Sequence, residues 1–127
     1  LPKMTDEDRR ALRPQLDLAP AEAPAEAFQN ATLRPVMKQQ HDLLRAATEL
    51  YLRKRKVKLE QLPAGERFAK VKELVTRDNR LRGLLFGITV GQFTREEMDY
   101  YVANEGEANR RITNLLVERL TGALAKS

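Results

Sequence analysis

Few side chains in this sequence could act as nucleophile, base or metal ligand. Ser127 is the only serine, His41 the only histidine, and cysteine is absent. A Ser-His-Asp triad needs an internal, positioned serine, so that mechanism is excluded. A carboxylate-bridged di-iron bundle needs two Glu-x-x-His pairs, and zinc sites draw on Cys and His. One histidine supplies neither, so no metal or other cofactor is expected. His41 stands beside an apolar stripe, one turn after Met37 and one before Arg45; it reads as a partly buried structural histidine. Glu96, Glu97, Asp99, Glu105 and Glu107 form an acidic cluster. Glu96 and Glu97 fall in a first helical turn, where capping and the helix dipole explain them without acid–base work.

The basic residues are more informative. In YLRKRKVK, residues 51–58, Arg53, Lys54, Arg55, Lys56 and Lys58 crowd the end of a predicted helix. Cations complement a helix C-terminus, but five in six positions repel one another beyond what the dipole needs. Arg77, Arg80 and Arg82 open a later helix, and Arg110 and Arg111 fall early in the last. If these converge, they make an anionic-partner patch for nucleic acid or an acidic protein, with affinity that falls as salt rises. The overall balance, 23 basic against 18 acidic residues and a net charge of +5, points the same way. Only Tyr51 is interleaved with the run, so base stacking has little support. No helix-turn-helix signature suggests sequence-specific readout.

A third pattern is structural. In RGLLFGITVGQFT, residues 82–94, Gly83, Gly87 and Gly91 stand four apart in an apolar run. Each glycine inside a helix costs about 1 kcal/mol relative to alanine. Gly91 falls where the helix must end and suits the residue after its last turn. Gly83 and Gly87 suggest a close helix approach, with Leu84, Phe86 and Ile88 packing around the contact. The neighbour is either another helix of this chain or a second copy, since two-fold dimers are the commonest oligomers. A phosphate-binding glycine loop would need a preceding strand and a following lysine. A membrane dimerisation motif needs a span of roughly 20 apolar residues, and none is present.

The elements that must position these residues are all helical, because no stretch alternates with period two. A chain of 127 residues is one domain's worth. Thr5 caps a short helix that Pro14 closes, and LDLAPAEAPAEA, residues 16–27, reads as an extended Ala/Pro/Glu-rich linker. Residues 1–27 are therefore an arm, and residues 28–127 a compact bundle of about five helices. The first helix is expected from a Thr32 cap to about Lys56, with Pro35 in its first turn and Leu33, Val36, Met37, Gln40, Leu43, Leu44, Ala47, Leu50 and Tyr51 as its stripe. The second starts at Pro63 and buries Phe68, Val71, Leu74 and Val75. The third spans about 78–90. Thr94-Arg95-Glu96-Glu97 is a capping box with Phe93 and Met98 as hydrophobic staple; it opens a helix carrying Met98, Tyr101 and Val102 inward. The last begins near Glu107 with Ile112, Leu115, Leu116, Leu120 and Leu124 on one side. LPKMTDEDRR has no apolar segment of a secretory signal, so a cytoplasmic location and no membrane association are expected.

The order FQNATLRPVMKQQHDLL and then ITVGQFTREEMDYYVANEGEANRRITNLLVERL resembles a small family of uncharacterised Bacteroidetes proteins, some of them labelled glyoxalase. The shared patterns are F-Q-N-x-T-L-R-P before a long helix and G-x-F-T-x-E-E before the last two, over roughly residues 28–120. Glyoxalases are βαβββ metal enzymes with His and Glu ligands, which a one-histidine helical chain does not match. The resemblance thus implies a compact helical module and carries over no active site. The expectation is a non-catalytic interaction module, self-associating through the Gly83/Gly87 helix; a nucleic-acid- or ribosome-associated protein is the alternative, and a cofactor-free enzyme built from Glu, Asp, Tyr and Arg the third reading.

Overall fold

The computed structural model describes residues 3–18 and 21–124. Ser127 and residues 19–20 of the expected linker lie outside them. Among the described residues every regular element is helical. Helix α1, Asp6–Ala11, opens on a capping box. Thr5 Oγ1 accepts from the Asp8 N–H at 3.1 Å, and the Asp8 carboxylate accepts from the Thr5 N–H at 2.9 Å.

The linker ends sooner than its composition suggests. Helix α2, Pro24–Phe28, starts inside the predicted linker, because Pro24 occupies a first-turn position where its missing N–H does no harm. It runs through a π-helical turn, Gln29–Leu33, into α3, Arg34–Gln39. Thr32 is therefore not a cap, and Pro35 is a helix-interior proline. Such a proline removes one i→i−4 bond and crowds the carbonyl four residues back; the wider turn accommodates it, with the Arg34 N–H reaching the Gln29 carbonyl.

The predicted helix from Thr32 to Lys56 is divided at Gln40 (φ −93°, ψ 12°), after which α4 spans His41–Lys54. A single-turn 3₁₀ segment, Leu59–Gln61, buries Leu59. Helices α5 (Ala64–Arg77), α6 (Asn79–Val90), α7 (Arg95–Ala103) and α8 (Glu105–Leu124) follow. Pro63 caps α5 rather than entering it. Beyond the expected arm helix and five bundle helices, the added α-helices are α2 and the one created by the division at Gln40.

Helix α8 is the spine. It packs against α5 above all, and also against α4 and α7, while α6 lies against α4 and α5. Leu33, Met37, Leu44, Leu81, Leu85, Ile112, Leu116 and Leu120 are fully buried between them. Phe28, Phe93, Tyr100 and Tyr101 extend the core towards α7, with ring centroids 4.5–5.8 Å apart. Four residues assigned inward face solvent instead: Leu43, Leu50, Phe68 and Val102. Leu43, Leu50 and Phe68 flank buried stripes centred on Leu44, Ala47 and Val71, and Val102 lies beside the partly buried Tyr101. No described helix is long and apolar enough to cross a membrane.

Candidate functional site

The basic run sits on a helix terminus with a specific geometry. Lys56 has φ 57°, the one left-handed non-glycine among the described residues. The Val57 N–H donates to the Leu52 carbonyl at 2.9 Å, and the Lys56 N–H to the Arg53 carbonyl at 3.0 Å. This is a Schellman ending with lysine where glycine is usual. It turns the chain off the end of α4, so Arg53, Lys54, Arg55, Lys56 and Lys58 are all exposed there.

One carboxylate joins this end to the α5–α6 junction. Asp78 Oδ1 accepts from the Leu81 N–H at 3.2 Å, capping α6, and its Oδ2 accepts from Arg55 Nε at 2.9 Å. Burial pushes the Asp78 carboxyl upward, but the Leu81 N–H and the Arg55 guanidinium outweigh it and hold the group below its ordinary value. Arg77 and Arg80 flank Asp78 in sequence and are exposed. The bond thus joins the end of α4, which carries Arg53, Lys54 and Arg55, to the junction that carries Arg77 and Arg80, while Lys56 and Lys58 line a cleft along α5 with Glu66 and Glu73. Only Arg55 among these cations has a carboxylate within ion-pair distance among the described residues.

Arg82, Arg110 and Arg111 do not join them. Arg82 lies 4.3 Å over the Phe86 ring and donates to Thr113. Arg110 and Arg111 both pair with Glu107. Tyr51 has Lys54 Nζ at 5.2 Å and Arg55 Cζ at 5.6 Å from its ring, so its face is shared with cations.

The glycine helix is placed differently from the expectation of close packing within the chain. A Cβ at Gly83 or Gly87 would meet nothing within 4 Å. These glycines face outward with Leu84, which is 42% exposed, while Phe86 and Ile88 pack against the core. The predicted set is therefore split between two faces. Gly91 ends α6 as foreseen, but in right-handed conformation (φ −61°, ψ −15°). Its role is space: a Cβ there would lie 2.7 Å from the Gly87 carbonyl oxygen.

The capping box of Thr94 and Glu97 forms as read. Thr94 Oγ1 accepts from the Glu97 N–H at 3.2 Å and Glu97 Oε1 from the Thr94 N–H at 2.8 Å. Capping does not explain Glu97 fully, however. Arg13 grips the same carboxylate with two bonds of 2.7 Å, its Nη2 also reaches the Gln92 carbonyl, and the Thr32 hydroxyl donates to it at 2.8 Å. The side chains are only 6% (Arg13) and 12% (Glu97) exposed. Burial pushes the Glu97 carboxyl up, but bonds from Arg13, Thr94 and Thr32 prevail and lower it to about 2. The arm is thus fastened over its own domain, roofing a cleft of about 830 Å³ lined by Phe28, Pro35 and Tyr100 among others. Arg13 was not singled out in the sequence, and nothing local marks it.

His41 is partly buried, and its Nδ1 lies 3.2 Å from Arg119 Nη1. Its side-chain hydrogen-bond partner among the described residues is an arginine. Among the described residues no three His, Asp or Glu side chains gather to hold a metal ion. Comparison of the chain with protein families, curated proteins and solved structures finds no match.

Proposed function

We propose that this chain is a binding module that engages the phosphate backbone of RNA or DNA with the exposed end built by Arg53, Lys54, Arg55, Lys56, Lys58, Arg77 and Arg80. The observation that carries this reading is the Arg55–Asp78 bond, which brings two basic segments 23 residues apart together. Exposed cations, six of the seven without an ion-pair partner among the described residues, suit a polyanion. With Tyr51 partly covered, contact is through charge and not through bases. Replacing Arg53, Lys54, Lys58 and Arg80 with glutamine spares the Arg55–Asp78 bond. It should abolish most of the binding to a single-stranded oligonucleotide at low salt, while Arg110→Gln/Arg111→Gln leaves it intact. Equal binding by the first variant and the parent would refute the proposal.

A second reading is self-association through α6, favoured by the outward-facing Gly83, Leu84 and Gly87 with open space above them. Light scattering should then find a dimer that Gly87→Leu dissociates without unfolding. A monomer at tens of micromolar would remove this reading and leave the first untouched.

A further inference from the structure

His41, at the start of α4, stands roughly 20 Å from the basic end, given 14 residues at 1.5 Å each. A cleft of about 500 Å³ opens here between α3, α4 and α8, lined by Arg34, Met37, His41, Arg45, Leu115 and Arg119 among others. Three arginines line one cavity. Arg45 shares Glu49 at 3.2 Å, but Arg34 and Arg119 have no carboxylate within ion-pair distance among the described residues. Burial, and then repulsion from Arg34, push the Arg119 guanidinium below its ordinary value. Glu118 also lines the cleft and pulls Arg119 the other way, but one carboxylate does not balance Arg34 and Arg119 together, and an added anion does. An arginine only donates, so in this contact Arg119 Nη1 donates a hydrogen bond to His41 Nδ1, which steadies Arg119 beside the cleft. In an adjoining cleft of about 340 Å³, which shares His41 and Arg119, Gln39 contributes a buried amide oxygen without a partner.

We infer that this cleft binds the phosphate group of a small soluble molecule, with Arg34, Arg45 and Arg119 donating to its oxygens. A carboxylate is satisfied by one guanidinium fork; a phosphate offers acceptors in several directions and suits a cleft lined by three arginines and only Glu118 of opposite charge. The site is independent of the polyanion surface at the other end of α4.

His41 is the sole histidine, so its ring resonances report on the cleft alone. Titration with inorganic phosphate at constant ionic strength should move them saturably, and chloride should not. Arg34→Lys and Arg119→Lys keep the charge but lose the fork, and each should weaken binding roughly tenfold. Arg45→Gln, at a more exposed position, should weaken it several-fold without risk to the fold. The glutamine variant of the basic end should bind phosphate as the parent does. A shift that never saturates, equal affinity in all three cleft variants, or a response to phosphatidic acid vesicles without one to inorganic phosphate would overturn the inference.

Discussion

Glu97 shows how a single side chain can be read correctly and still understood only in part. Its place at the third position after Thr94 identifies the capping box, a local pattern. Its main partner, Arg13, is 84 residues away, and no periodicity or motif links them. The pair has a measurable signature. The folded value of about 2 is below the ordinary 4.5, so its contribution is fully present above pH 4.5 and is lost as pH falls through about 2. A shift of this size corresponds to a few kcal/mol, on the order of 3. Denaturant titrations across that window should show stability declining in the parent, and Glu97→Gln should be less stable at neutral pH with a flatter profile. Identical profiles would mean the pair contributes nothing. Lys56 makes the second residue-scale case. Its left-handed backbone strains any side chain with a Cβ, so Lys56→Gly should stabilise the protein by about 0.5–1 kcal/mol, seen as a higher denaturation midpoint. The basic run was legible as charge; that its fourth member occupies the turn position was not.

At the scale of elements, the type of every long segment was legible and several boundaries were not. The stripe from Leu33 to Tyr51 repeats in steps of three, four and seven, and such a pattern is blind to one residue in a bridging conformation, as at Gln40. Pro24 and Pro35 misled in different ways: Pro24 reads as a breaker within a linker but starts α2, and Pro35 reads as a first-turn residue but lies in a helix interior, where a π-turn absorbs it. Periodicity also cannot say how wide a buried stripe is, which is why Leu43, Phe68 and Val102 were assigned inward. The glycine helix was placed correctly, but the alternative of a close neighbour within the chain was incorrect, since a small residue signals space without saying what fills it. Because nothing lies within 4 Å of a Cβ at Gly87, Gly87→Ala should raise stability by about 0.5–1 kcal/mol in thermal unfolding of the monomer. Destabilisation there would point to a neighbour on that face, the result self-association requires.

At the scale of the whole molecule, two long-range contacts decide what the chain presents to its surroundings. Arg13 on Glu97 fastens the arm across α7, where the composition of residues 16–27 suggested only an extended tether. Removing one member of a buried pair strands the other, at a cost of about 3–5 kcal/mol. Arg13→Gln should therefore lower stability by that order and speed hydrogen exchange in residues 5–12 ahead of the core. Arg55 on Asp78 gathers the cations that the linear sequence separates. Only this second contact bears on the proposed function, and counterion release tests it directly. About five phosphate contacts imply that log K for a single-stranded oligonucleotide falls against log salt with a slope of roughly −3.5. For the variant with glutamine at Arg53, Lys54, Lys58 and Arg80, the slope should shrink to roughly −1. Indistinguishable slopes, or no binding by the parent protein even at low salt, would contradict a nucleic-acid-binding end on this bundle.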